Sequence, residues 1–275
     1  MTLRQWIKDR EINGRFFFSV DDVRRIYLID GANSYSKSDS VIQTELARLT
    51  AQGIIQPVYK GFYTIVPVQY QARGVIPPAY YIDQLMTYLC RPYYISLLSA
   101  AELLGAAHQK PQRVSVTTVL PNLHTSKQKN ERIVWNYRSK IREDLLLKKN
   151  SETGQIVYSS AELTAVDLVQ YAHLVGGLSN VSTVLDELVE VLDFQRNFDA
   201  LCEVANIAAI QRLGYIFEQI LGYEDIANVL YNLLLSRSKK LNYILLSPKK
   251  KNRQLALRDT RWKIIINQEI EPDEL

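Results

Sequence analysis

Apolar residues recur with helical spacing after residue 38. They fall at i, i+4 and i+7, so they share one face of a helix predicted over residues 41–52. These residues are Ile42, Leu46 and Leu49. Ser38 and Ser40 are alternative N-caps, and Gly53 suits the left-handed position just beyond a helix. The pattern therefore predicts a helix with one buried face.

The opposite face of this predicted helix is built from small, polar and basic side chains. Its members and flanking residues are Lys37, Ser40, Gln43, Thr44, Ala47, Arg48 and Ala51. Side chains of this kind occur on helix faces that lie in a groove of DNA and contact its bases and phosphates. We therefore expect this face to be exposed and to bind duplex DNA.

Two short runs, residues 54–59 and 62–66, follow the helix and are rich in β-branched and aromatic residues. The turn Lys60-Gly61 between them predicts a hairpin with Lys60 at its tip. A helix followed by a hairpin is the arrangement of a winged helix, in which Lys60 would contact DNA from the wing.

Upstream residues complete the same unit. Ser19 and Asp22 are spaced like a capping box at the start of a second helix, and residues 3–10 predict a leading helix. We predict a winged helix-turn-helix domain over residues 1–75. The alternative is a small helical domain whose hairpin binds protein.

A proline-rich stretch, residues 67–78, interrupts any helix and places the predicted domain boundary at residue 75. Residues 76–275 predict a larger mixed α/β domain with a helical block, which makes the fold class α+β. Predicted helices cover residues 81–90, 94–107, 161–174, 182–192, 213–221 and 226–234. Predicted strands cover residues 114–120, 132–138, 145–148, 155–158, 241–246 and 261–266.

Charge is unevenly distributed along the 275 residues, although the formal net charge is only +4. Residues 159–226 hold two basic and 11 acidic side chains, whereas residues 236–263 hold ten basic side chains and one acidic. Lys249, Lys250, Lys251 and Arg253 form a candidate secondary patch for nucleic acid or a partner. Pairing with the acidic block, oligomer contacts and simple solvation are the alternatives.

Residues with catalytic or metal-binding chemistry show no familiar grouping. The three histidines, His108, His124 and His173, lie outside any zinc motif, and GxSxG, Walker and GxGxxG sequences are absent. We therefore expect no enzyme activity, no metal and no cofactor. Cys90 and Cys202 are interpreted as reduced, buried thiols, and the lack of a long apolar run or signal core predicts a cytoplasmic protein with no membrane partner.

Four segments together resemble the AbiEi family, the antitoxin and autoregulator half of bacterial AbiE abortive-infection systems, which are type IV toxin–antitoxin systems acting in phage defence. The first combines Leu46-Ala-Arg-Leu49, Gly53-Ile-Ile55 and Lys60-Gly-Phe-Tyr63, ending at Pro67. The others are Tyr94-Ile-Ser-Leu-Leu-Ser-Ala-Ala-Glu-Leu-Leu-Gly105, Pro111-Gln-Arg-Val-Ser-Val116 and Arg212-Leu-Gly-Tyr-Ile-Phe217. The match runs from about residue 16 to residue 221, most of the chain.

The resemblance implies a transcriptional regulator whose winged helix represses its own operon at promoter repeats. It also implies a C-terminal domain that antagonises a nucleotidyltransferase-like toxin. Two other hypotheses remain open. One is a stand-alone transcription regulator with a ligand-binding or oligomerisation domain, and the other is a nucleic-acid-processing enzyme whose acidic block holds a metal.

Overall fold

The computed structural model describes residues 2–29, 39–71, 76–106, 111–123, 132–237, 240–248 and 257–272. The α-helices are α1 (Leu3–Ile12), α2 (Val20–Ile29), α3 (Asp39–Ala51), α4 (Val68–Gln71), α5 (Ile82–Tyr88), α6 (Leu97–Leu104), α7 (Ala161–Gln170), α8 (Leu178–Leu188), α9 (Phe198–Val204), α10 (Ile207–Tyr215) and α11 (Glu224–Arg237). The strands are β1 (Phe17–Ser19), β2 (Ile55–Tyr59), β3 (Phe62–Ile65), β4 (Tyr93–Ile95), β5 (Val114–Val119), β6 (Ile133–Arg138), β7 (Leu146–Ser151), β8 (Gly154–Ser159), β9 (Ile244–Leu245), β10 (Leu257–Asp259) and β11 (Ile264–Ile266).

The predicted α+β class is confirmed, and the chain divides into two compact units. The first comprises residues 1–92, 121–133 and 149–156, and the second comprises residues 93–120, 134–148 and 157–275. Among the described residues, no helix combines the length and apolarity needed to cross a membrane. The boundary at residue 75 stays a prediction.

The first unit packs α1, α2 and α3 against a small antiparallel sheet of order β1-β3-β2. The stripe predicted on α3 is confirmed, because Ile42, Leu46 and Leu49 are each no more than 2% exposed. They join a core with Leu3, Ile7, Val23 and other apolar residues of the unit. The helix is therefore held by burial of one face, and the side chains of the opposite face are exposed.

The ends of α2 and α3 have clear local causes. The capping box is confirmed, since the backbone N–H of Ser19 donates to Asp22 Oδ2 at 2.8 Å and the N–H of Asp22 donates to Ser19 Oγ at 3.1 Å. Gly53 ends α3 at a φ of +69°, as predicted. The N-cap expectation for Ser40 is wrong because α3 already begins at Asp39, and Ser38 lies outside the described residues.

Aromatic rings cover one face of the first unit's sheet. Phe17 in the unpredicted strand β1 stacks on Phe62, with ring centroids 6.3 Å apart. Tyr80 and Tyr88, from the segment that ends in α5, lie 6.0 Å from Phe17 and 5.1 Å from Phe62 respectively. Residues 78–88 therefore pack on the same small sheet as part of the first unit.

A sheet of order β6-β5-β4-β8-β7 carries the helices of the second unit. Its central strand β4 pairs antiparallel with β5 and parallel with β8. The helix predicted over residues 94–107 is therefore wrong at its start, because Tyr94 and Ile95 lie in β4 and α6 begins only at Leu97. All three β4 residues are buried, so the strand shows no polar alternation that would reveal it.

The helical part of the second unit surrounds α7 and α10, and a smaller sheet of order β10-β11-β9 packs nearby. The helix predicted from Ser182 begins earlier, at Leu178, after Gly177 at a φ of +95°. The Gln211 side-chain amide in α10 donates to the carbonyls of Asn242 at 3.1 Å and Trp262 at 2.8 Å. These bonds fix the small sheet to α10.

Candidate nucleic-acid interface

The outward face of α3 carries the side chains that the sequence assigns to DNA contact. Ser40, Gln43, Thr44 and Arg48 are all exposed, and the methyl groups of Ala47 and Ala51 are exposed beside them. Thr44 Oγ1 donates to the carbonyl of Ser40 at 2.8 Å, a bond along the helix. Lys37, the remaining predicted member of this face, lies outside the described residues.

Both acidic side chains of α3 are engaged by groups on α2. Arg24 binds Asp39 in a bidentate pair, with Nη2 to Oδ2 at 2.9 Å and Nε to Oδ1 at 3.0 Å. These hydrogen bonds, followed by the charge of Arg24, lower the pKa of Asp39. Tyr27 donates its hydroxyl to Glu45 at 2.6 Å. The negative charges near the helix are thus tied to neighbouring side chains, whereas Arg48 forms no ion pair with a described residue.

Lys60 lies in the turn between β2 and β3, where its side chain is exposed. Gly61 follows it at a φ of +76°, and its carbonyl accepts from the N–H of Val20 at 2.9 Å. A Cβ atom added to Gly61 would lie 3.0 Å from the hydroxyl of Tyr88. A backbone hydrogen bond therefore joins the hairpin turn to the start of α2, and Tyr88 of α5 lies close to Gly61.

The second unit contains a buried ionic network that no sequence pattern indicated. Arg138 Nη2 lies 3.0 Å from Asp167 Oδ1, and the side chains are only 6% and 1% exposed. Tyr94 donates its hydroxyl to Asp167 Oδ2 and accepts from Arg138 Nη1, each at 2.7 Å. Burial raises the pKa of Asp167, and the guanidinium of Arg138 opposes that rise. The network joins β4, β6 and α7.

Part of the acidic block pairs with basic residues of the same unit. Glu203 binds Lys140 at 2.5 Å and Arg142 at 2.8 Å, and Arg261 from the basic tail binds Glu218. This observation supports intramolecular pairing for Arg261. The patch proposed from Lys249, Lys250, Lys251 and Arg253 lies outside the described residues.

The remaining candidates give no catalytic grouping in the described parts of the chain. No set of three or more His, Cys, Asp or Glu side chains is placed to hold a metal there. The prediction that both cysteines are buried is wrong for Cys90, which is exposed, whereas Cys202 is half-buried and burial raises its pKa to about 11. His173 is exposed, and His108 and His124 lie outside the described residues.

One open cavity of about 560 Å³ lies in the acidic helical block of the second unit. Apolar side chains and two carboxylates line it. The lining residues are Val189, Leu192, Gly222, Tyr223, Glu224, Asp225 and Ile226. The cavity contains no residue of the predicted site.

Fold and site together define a class: an α+β protein of two compact units, with an exposed helix face in the first and a buried ionic network in the second. Residues 94–219 match the family model described as the AbiEi antitoxin C-terminal domain. The resemblance to the AbiEi family is therefore confirmed for this segment, which contains all three members of the buried network.

The fold is similar to that of the crystal structure of the RV2827C protein from Mycobacterium tuberculosis. The TM-score is 0.66 at 14% sequence identity, over 94% of this chain and 89% of that chain. At this identity the likeness shows the fold alone. No curated protein matches the chain.

Proposed function

We propose that this chain is a DNA-binding antitoxin that represses its own operon and antagonises a nucleotidyltransferase-like toxin. The single observation that supports the regulatory half most directly is the exposed face of α3, where Arg48 is unpaired among the described residues. The match of residues 94–219 to an antitoxin domain supports the other half.

In this proposal the first unit is a winged helix. Helix α3 is the recognition helix, α1 and α2 support it, and the β2–β3 hairpin is the wing with Lys60 at its tip. Ser40, Gln43 and Thr44 supply short polar groups, and Ala47 allows close approach to the floor of the major groove. Lys37 belongs to the same proposed DNA-contacting set. The guanidinium of Arg24 offsets part of the negative charge of Asp39, which reduces its repulsion of the phosphates.

Arg48→Ala and Lys60→Ala are each expected to weaken binding to the promoter DNA upstream of the gene. The loss is about 1–3 kcal/mol for a side chain that contacts a base edge. A side chain that contacts only phosphate instead lowers the slope of log affinity against log salt by about 1. Fluorescence anisotropy with labelled promoter duplex over a series of salt concentrations measures both quantities.

Lys8→Ala is the matched control, because Lys8 is an exposed lysine of α1, outside the proposed interface. It removes the same charge from the same unit and is expected to leave specific affinity nearly unchanged. If Arg48→Ala and Lys60→Ala bind the promoter as tightly as Lys8→Ala, the assigned interface is wrong.

Toxin antagonism is tested by co-expressing the full chain with a nucleotidyltransferase encoded beside it and following growth. Rescue by the wild type and by Arg48→Ala would place antitoxicity outside the DNA-contacting face. Failure of the wild type to rescue, with promoter binding intact, would replace the antitoxin proposal with the stand-alone regulator.

A further inference from the structure

The small sheet of the second unit presents basic side chains on its outward face. Ile264 pairs with Ile244, and Arg258 pairs with Ile265, across the three strands. Because side chains alternate along a strand, Arg258 lies on the same face of the sheet as its partner Ile265. Tyr243 and Lys263 lie just before β9 and β11, outside the strands. Ile264 points the other way and is fully buried.

Contacts on this face bring the two cations to one aromatic ring. The Arg258 guanidinium lies 5.5 Å from the ring centroid of Tyr243, and the Lys263 ammonium lies 5.1 Å from the same centroid. Tyr243 is 41% exposed. The distance between the two cations is therefore at most the sum of these two distances. Attraction to the ring also restricts their positions.

Lys263 adopts a backbone conformation that L residues rarely adopt, with a φ of +55°. Its carbonyl accepts from the N–H of Ile244 at 2.9 Å, which ties the residue to β9. Strained backbone conformations of this kind persist where surrounding contacts hold them in place, and they cluster at functional sites. Here this conformation places a lysine next to Arg258 on the sheet face.

Acidic groups near this face are engaged elsewhere. Asp259 falls on the opposite side of the β10 pleat, where its carboxylate accepts from the N–H of Trp262 at 2.6 Å. The neighbouring cation Arg261 pairs with Glu218. Arg258 and Lys263 form no ion pair with any residue that the structure describes.

We propose that Tyr243, Arg258 and Lys263 form a second nucleic-acid site, which binds the phosphate backbone of a DNA or RNA strand. The site shares no residue with the α3 face and does not depend on the proposed promoter recognition. The two cations lie against an exposed aromatic ring and form no ion pair with a described residue, so they suit the repeated phosphates of a nucleic acid. A sugar or base would then lie at the edge of the ring.

The test uses the full chain carrying Arg48→Ala and Lys60→Ala, so that the first unit contributes little to binding. Arg258→Ala and Lys263→Asn are added together, since asparagine tolerates a left-handed φ without the charge. Binding of an unrelated DNA duplex and of a single-stranded RNA is measured by anisotropy at several salt concentrations. Loss of two phosphate contacts lowers the salt slope by about 1.8 for duplex and about 1.4 for single strands.

Arg196→Ala is the control, because Arg196 is an exposed arginine of the same unit. Arg258→Ala alone serves as a second variant, and circular dichroism checks that each protein is folded. A reduced slope for duplex alone identifies duplex as the ligand, and a reduced slope for RNA alone identifies single strands. Slopes equal to that of Arg196→Ala for both nucleic acids overturn the proposal.

Discussion

Replacing Asp167 by alanine is expected to destabilise the second unit by about 3–5 kcal/mol, the range measured when one partner of a buried ion pair is removed. The side chain of Arg138 is only 6% exposed, so the change leaves a buried positive charge without its counter-charge. It also removes the acceptor of the Tyr94 hydroxyl. Urea unfolding followed by tryptophan fluorescence gives the change in the free energy of unfolding.

Asp199→Ala provides the matched control, because Asp199 also pairs with an arginine, Arg237, but is 87% exposed. Its expected cost is below about 1 kcal/mol. The double variant Arg138→Met/Asp167→Leu buries no charge and is expected to be more stable than Asp167→Ala. If Asp167→Ala and Asp199→Ala lower the free energy of unfolding equally, the buried network does not stabilise the second unit more than an exposed ion pair does.

Local patterns in the sequence were sufficient for much of the first unit. The stripe of Ile42, Leu46 and Leu49 identified α3 and its buried face because the repeat matches the helical period. Ser19 with Asp22 located the start of α2 through hydrogen bonds that span only three residues. These signals were reliable because the interactions that produce them lie within one or two turns of chain.

The main errors concern positions whose structure depends on distant partners. Tyr94 and Ile95 were assigned to a helix because a fully buried central strand has the apolar composition of a buried helix. These residues form a strand because they pair with β5 and β8, which lie 19 or more residues away in the sequence. The ion pair of Arg138 with Asp167 spans 29 residues of sequence and likewise leaves no local signal.

The basic tail shows how the fold gives different roles to the members of one run of positive charge. By sequence alone Arg258, Arg261 and Lys263 were one positive stretch. In the structure Arg261 turns to Glu218, whereas Arg258 and Lys263 share the outward face with Tyr243. The fold of β10, β11 and the turn between them therefore separates an intramolecular partner from a candidate ligand site.

Gly214→Ala is expected to destabilise the second unit by about 3 kcal/mol, at the upper end of the range for an overpacked core. A Cβ atom on Gly214 would lie 2.0 Å from Cη2 of Trp262. That indole is fully buried and cannot retreat easily, since its Nε1 donates to Glu218 and its ring meets Tyr231 edge-on at 5.2 Å. The clash therefore falls on a ring that links the AbiEi-matched segment to the small sheet.

A double-mutant cycle with Trp262→Leu tests this cause directly, because leucine removes the atoms that the new methyl group would meet. In the Trp262→Leu background, Gly214→Ala is expected to cost much less, and helix propensity favours alanine by about 1 kcal/mol inside α10. Urea unfolding followed by circular dichroism suits all four proteins, since the signal does not depend on the lost tryptophan. An equal cost of Gly214→Ala in both backgrounds would mean that Trp262 is not what keeps residue 214 a glycine.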